Sequence, residues 1–194
     1  MIQLSILIPT IPERKKIFSI LWQEIARQVA DGEYWHEVEV LFDPTERGVI
    51  STGLKRNKLL KAARGEYVWF IDDDDMIEPS AINAVMEGTK SGADCMAING
   101  TMIYDGERTV PWDIAINNPY CADFSKGYER YLRYPNHITP MKRAIAVQVQ
   151  FPDQSNFEDK SFADSLRINN LLKTEFKIEQ PLYIYRYSTL NKTY

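Results

Sequence analysis

The chain has 194 residues, 44% hydrophobic and 26% charged, with a formal net charge of −4 and a pI of about 5.3. That length suits one domain with a real core, and the acidity argues against a strong general nucleic-acid binder, which would ordinarily be basic. No apolar run is long enough to cross a bilayer, the apolar start at 2–9 lacks the length and basic leader of a signal peptide, and Cys95 and Cys121 make no disulfide framework, so a cytoplasmic protein with free thiols is expected.

Residues 2–8 alternate and then run apolar into Pro9, which predicts a buried strand. Thr10 and Glu13 have the spacing of a capping box, with Pro12 in the opening turn. Ile17, Ile20, Leu21, Ile25 and Val29 then recur at helical spacing until Asp31-Gly32. Residues 37–42 predict a second strand ending at Asp43-Pro44. Residues 51–64 predict a basic helix with Leu54, Leu59, Leu60 and Ala63 on its apolar side, stopped by Gly65. Residues 67–71 are apolar throughout, as in a central strand covered on both faces, and end in Asp72-Asp73-Asp74-Asp75. A helix over about 79–90 and a strand over 93–98 follow. This alternation predicts an α/β fold with a mostly parallel central sheet flanked by helices. Beyond it, 99–120 reads as a hairpin or loop insert, and 124–134 as a short helix carrying Phe124, Tyr128 and Tyr131. Residues 159–172 read as a helix with Phe162, Leu166, Ile168 and Leu172, and 174–187 as two short strands split at Pro181.

Four adjacent carboxylates after a buried strand carry the sharpest chemical signal. In an open α/β sheet the ligand crevice lies outside the carboxyl ends of the strands. Four acids crowded there repel one another, and a hard divalent cation with oxygen ligands relieves the conflict and bridges phosphates. A solvated acidic turn is the plainer account. Asp43 ends the second strand on what would be the same edge. It reads as a turn-former before Pro44 or as an acceptor for a nucleobase or ribose. Ser51-Thr52-Gly53 offers helix N-terminal N–H groups to an anion, and Arg56 could grip a diphosphate, against a merely solvated basic face. Glu158 and Asp159 at a helix start read as caps or as a general base. His137 is one of two histidines and a candidate ligand, though a lone histidine is more often structural.

Taken together these residues resemble the family 2 glycosyltransferases, inverting enzymes of the GT-A fold, across nearly the whole chain. Ser5-Ile6-Leu7-Ile8-Pro9-Thr10 is similar to the family's opening strand and nucleotide-contacting loop, and Asp43 falls where the family has a base-contacting aspartate. Lys55-Arg56-Asn57 and 62–67 are similar to its helix-to-strand approach. The run 70–75 matches its Asp-x-Asp metal signature, read as Asp72 and Asp74, with Asp73 beside the nucleotide. Glu158-Asp159 resembles its Glu-Asp pair, whose aspartate is the base. The segment 9–14, and His137 ahead of 140–143, fit the short variants of bacteria and their phages. Related chains often carry a histidine in the final Tyr-x-Tyr-Arg stretch, where this one has Ile184.

The resemblance implies a single domain over 1–194, with 1–98 binding the nucleotide sugar and 99–194 the acceptor. It implies Mn²⁺ or Mg²⁺ held by Asp72 and Asp74, with His137 a further candidate, and Asp159 as base with Glu158 beside it. A UDP-sugar is the donor implied, and a glycan, lipid-linked sugar, protein or modified phage DNA the acceptor. A non-catalytic nucleotide- or sugar-binding module, a nucleotidyltransferase and a haloacid-dehalogenase-type phosphatase are the competing readings. The last two lack, respectively, a Gly-rich loop at 9–16 and an Asp-x-Asp after the first strand.

Overall fold

Strand β1 (Leu4–Pro9) is buried along its whole length because it is flanked on both sides. It pairs in parallel with β2 (Val38–Asp43) and with β3 (Tyr67–Phe70). The structure is a computed structural model and describes residues 1–187. Positions 188–194 of the expected domain lie outside the described residues.

The two faces of this parallel trio feed two separate cores. Leu4, Ile6, Ile8, Tyr67, Trp69 and Ile71 point to one, where Leu21, Ile25 and Val29 of α1 (Lys15–Asp31) meet Ala81, Ile82 and Val85 of α3 (Ala81–Thr89). Leu7, Val68 and Phe70 point to the other, against Leu59 and Leu60 of α2 (Thr52–Ala62) and Phe162 and Leu166 of α5 (Glu158–Ile168). The period of two along a strand thus explains why the whole strand is apolar.

Beyond β3 the sheet becomes mixed. The short β9 (Met141–Lys142), which leads into the one-turn helix α4 (Arg143–Ala146), runs antiparallel between β3 and the long β5 (Cys95–Tyr104). β5 continues antiparallel with β6 (Arg108–Ile114), while β10 (Glu175–Lys177) and β11 (Tyr183–Tyr187) run parallel to it. β4 (Met76–Ile77) pairs antiparallel with β11. The main path is β2-β1-β3-β9-β5-β6-β8-β7. Among the described residues no helix is long and apolar enough to cross a membrane.

Several local expectations fail for identifiable reasons. The helix expected over 124–134 is an antiparallel pair, β7 (Cys121–Asp123) and β8 (Arg130–Arg133). Asp123 accepts from the N–H and hydroxyl of Ser125 and Gly127 takes a φ of 80°, so the chain turns. Phe124 and Tyr128 face solvent, so their helical spacing had no core behind it. The capping box at Thr10 does not form. A 3-10 turn spans Pro12–Arg14 before α1, and the Thr10 hydroxyl donates to Asp73 at 2.6 Å. Ile17 and Ile20 are exposed. Gln28 is buried instead, donating to Glu78 O and accepting from Ile82 N. Leu54 and Ile168 are also on the surface, and α5 ends at Ile168, short of the expected 172.

Candidate active site

Parallel pairing brings three expected residues to one edge. Pro9 pairs opposite Asp43, and the Thr10 N–H donates to Asp43 O at 3.0 Å. The Ile71 N–H donates to Leu7 O at 3.1 Å, so Asp72 leaves β3 at the same carboxyl edge. A cleft of about 450 Å³ opens there, lined by Asp43, Thr45, Lys58 and Leu59 among others. Asp43 Oδ1 accepts from the Thr45 N–H at 2.9 Å and from its hydroxyl, the turn expected before Pro44. Its Oδ2 stands 2.9 Å from Lys58 Nζ. Burial opposes ionisation of Asp43, but Thr45 and Lys58 hold its carboxyl below the ordinary value.

The acidic run is a tight turn, closed by the Asp75 N–H donating to Asp72 O at 3.1 Å. Asp73 and Asp74 share Arg14, while Asp72 and Asp75 turn to other partners. Asp72 meets Arg56 at 2.6 Å and His137 Nε2 at 3.2 Å. Asp73 is buried and accepts from the Thr10 hydroxyl and from Arg14 Nη1 at 2.7 Å. Asp74 is the most open, its side chain 35% exposed, with Arg14 Nη1 at 3.0 Å. Asp75 is buried and accepts from the Tyr183 hydroxyl and the Arg186 N–H, each at 2.7 Å.

These surroundings set Asp72, Asp74 and Asp75 apart electrostatically. Burial works against ionisation of Asp72, yet the Arg56 guanidinium and His137 hold it well below the usual carboxylate range. Burial, opposed by Arg14 and reinforced by the Asp72 and Asp73 charges, pushes Asp74 up to about 6. Burial and the same neighbouring charges drive Asp75 well above its ordinary value. Asp74 therefore carries strain that a cation would relieve, which suits a hard divalent ion. Among the described residues no three His, Cys, Asp or Glu side chains already converge as a complete metal cage.

The basic helix α2 is not a solvated face where it matters. Lys55 and Arg56 are buried, and Lys55 Nζ donates to the carbonyls of Thr10 and Thr45, tying the loops after β1 and β2 together. Arg56 reaches Asp72 with one terminal nitrogen and Glu158 with the other, at 2.6 and 2.5 Å. Burial raises the Glu158 carboxyl above its ordinary value, with Arg56 limiting the rise. The helix start does not offer free N–H groups to an anion as expected. The Thr52 N–H donates to the Ser155 hydroxyl, that of Gly53 to Gln154 O, and that of Leu54 to the Ser51 hydroxyl.

His137 supplies a second bridge. The turn 136–139 is held by the Ile138 N–H on Asn136 Oδ1 and by Trp69 Nε1 donating to Ile138 O at 2.9 Å. The buried ring so aimed has Nε2 on Asp72 and Nδ1, which makes no hydrogen bond, 3.9 Å from Asp159. Asp159 is 44% exposed at the N-terminus of α5. Arg14 and Tyr183, which hold the acidic turn, were not anticipated from sequence. The alternation of 182–186 hinted only that Tyr183 faces inward.

Comparison with known proteins identifies the family and the fold. Residues 22–159 match the model for glycosyl transferase family 2. A Bacillus subtilis (strain 168) protein bearing the glycosyltransferase name EpsH is 28% identical over 144 residues, covering 69% of this chain and 41% of that protein. S. aureus TarS 1-349 superposes with a TM-score of 0.65 at 19% identity, over 95% of this chain and 60% of that one. Glucosyl-3-phosphoglycerate synthase from Mycobacterium tuberculosis, in complex with Mn²⁺, UDP and phosphoglyceric acid, gives 0.53 at 15%, over 98% and 72%. The chain thus spans about two fifths of the Bacillus relative and three fifths of the TarS fragment. The fold it shares with these structures is the GT-A arrangement.

Proposed function

The chain belongs to glycosyl transferase family 2, and from that premise we propose that it transfers a sugar from a UDP-sugar to an acceptor hydroxyl, inverting the anomeric carbon in one displacement. The observation that carries this reading is the Arg56 bridge joining Asp72 of the acidic turn to Glu158 of α5, with Asp159 beside it 3.9 Å from His137 Nδ1. Complexes of TarS with UDP and UDP-GlcNAc support the donor. Complexes of the mycobacterial synthase with Mn²⁺ or Mg²⁺ support a divalent cation.

In this reading residues 1–98 hold the nucleotide sugar and the remainder the acceptor. Pro9 and Thr10 border the nucleotide, Asp43 takes the base or ribose at the cleft, and Asp73 keeps the Thr10–Arg14 loop in place. Asp72 and Asp74 would hold Mn²⁺ or Mg²⁺, which would neutralise the departing diphosphate. Asp159 takes the proton of the acceptor hydroxyl. General-base help is worth ~10²–10⁴-fold. Arg56 holds Glu158 and Asp72 in fixed relation. His137, expected as a metal ligand, serves here to link Asp72 with Asp159. The free thiols Cys95 and Cys121 suit a reducing cytoplasm.

UDP release from UDP-sugars, with and without Mn²⁺, tests the proposal. Asp74→Ala is expected to weaken metal-dependent UDP binding sharply. Equal UDP affinity with chelator and with metal would remove the cation from the mechanism. Asp159→Asn keeps a capping oxygen, so it is expected to fold and bind UDP yet lose transfer by ~10²-fold or more. Transfer near the parent rate would remove Asp159 as the base.

A further inference from the structure

Tyr183 is fully buried, its ring edge-on to Trp112 with centroids 6.2 Å apart. A phenylalanine would fill that space equally well, and a buried phenol is costly unless its hydroxyl is bonded. Here the hydroxyl makes two bonds, both to the acidic turn. It accepts from the Asp72 N–H at 3.1 Å and donates to Asp75 Oδ2 at 2.7 Å. One oxygen thus spans the turn's first and last residues, while the Arg186 N–H takes the other oxygen of Asp75 at 2.7 Å.

The strand bearing Tyr183 is itself fixed. β11 pairs with β4, directly after the turn, and with β5 on its other side. At the crossing with β5, a Cβ on Gly100 would lie 2.1 Å from Tyr183 O, so only glycine lets the strands approach this closely. The Glu78 N–H donates to Leu182 O at 3.0 Å and locks the far side of β4. Asp75 thus points into β11, away from Asp74, and its carboxylate is occupied by that strand.

We infer that Tyr183, together with Asp75, is a positioning pair that sets the spacing of Asp72 and Asp74 for the cation and diphosphate. The inference rests on the function proposed above. Tyr183 touches neither ligand. It acts through the backbone of Asp72 and the closure of the turn, so its loss lets the two carboxylates drift apart while the ring still packs.

Tyr183→Phe tests this, with thermal melting as the measure of folding and Mn²⁺ uptake in the presence of UDP, followed by the spin-resonance signal of free Mn²⁺, as the measure of the site. The expected result is a folded variant whose Mn²⁺ affinity falls about tenfold or more, on the order of one lost buried hydrogen bond, while UDP affinity in chelator is unchanged. A hydroxyl that only stabilises the fold predicts a lower melting midpoint and parental Mn²⁺ affinity, which would overturn the inference. Should Tyr183→Phe melt below the assay temperature, the same Mn²⁺ titration run below its melting midpoint, with the parent at that temperature, reads the same quantity with the same two outcomes. Parent protein that takes up no Mn²⁺ with UDP overturns the inference together with the proposed function. Parent uptake matched by the folded variant overturns the positioning role alone.

Discussion

Arg56→Met removes one buried cation from the buried Glu158 and the partly buried Asp72, and little else. Methionine keeps a straight chain of similar helix propensity, and it can keep the contact that Arg56 makes over the Phe151 ring, now 5.6 Å from its centroid. Breaking a buried ion pair from one side costs ~3–5 kcal/mol, because the partner charge stays behind. For a chain of this size each kcal/mol moves the melting midpoint by roughly 2–4 °C, so a fall of roughly 6–20 °C is expected near neutral pH. The pH dependence has a definite sign. In the parent, Asp72 is held below its ordinary value, so its contribution is complete above that value and is lost as pH falls through the folded one. Without Arg56, burial is left to raise Glu158, while His137 still favours the ionised Asp72, so the folded variant takes up a proton at Glu158 and regains stability on acidification. Urea unfolding of both proteins at about pH 7.5 and about pH 5 reads this directly, with the gap widest at the higher pH. Adding Glu158→Gln to Arg56→Met is expected to restore part of the loss, since one stranded charge goes with it. A gap under about 1 kcal/mol at the higher pH, or one that does not narrow, would refute the reasoning.

Three further outcomes follow from single contacts. Gly65→Ala would put a methyl 2.6 Å from Ser5 N and 2.7 Å from Tyr67 O, both backbone atoms that cannot move aside. A loss of ~1–3 kcal/mol is expected, and an unchanged thermal midpoint would contradict it. Glu39 accepts from Ser5 and Arg64, which, against the cost of burial, hold it below its ordinary 4.5. Its contribution is therefore complete above that value and lost as pH falls through the folded one. Glu39→Gln is expected to cost ~1–2 kcal/mol at neutral pH and to merge with the parent in acid, as denaturant titrations at several pH values would record. Asp43→Asn keeps the turn to Thr45 but not the charge beside Lys58. It is expected to stay folded with a loss of no more than ~1 kcal/mol, because Lys58 is exposed, and to bind UDP about tenfold more weakly by calorimetry, and parental affinity would remove Asp43 from the nucleoside site.

What could be read without the fold was whatever leaves a local mark. Residues 67–71 are apolar at every position because a central strand is covered on both faces, and the two cores confirm why. The shared edge of Asp43 and Asp72 followed from the β-α-β alternation, since parallel strands end at the same side. Glu158 and Asp159 announced a helix start, and α5 begins there.

Tertiary structure alone decided the rest. Lys55 and Arg56 read in sequence as either a diphosphate grip or a solvated face, and only the path of the chain brings Asp72, 16 residues on, and Glu158, 102 residues on, to neutralise a buried guanidinium. In the segment 124–134 the helical period fails at Phe124 and Tyr128, which face solvent, while Tyr131 and Tyr134 reach the cores from a strand and its end, so the turn residues won and strands formed instead. Tyr183 bonds a turn 111 and 108 residues earlier. Hydrophobic period and cap chemistry act over one or two turns of chain and are legible locally. The partner of a buried charge or hydroxyl is whichever group the folded chain sets beside it, and sequence spacing does not contain that distance.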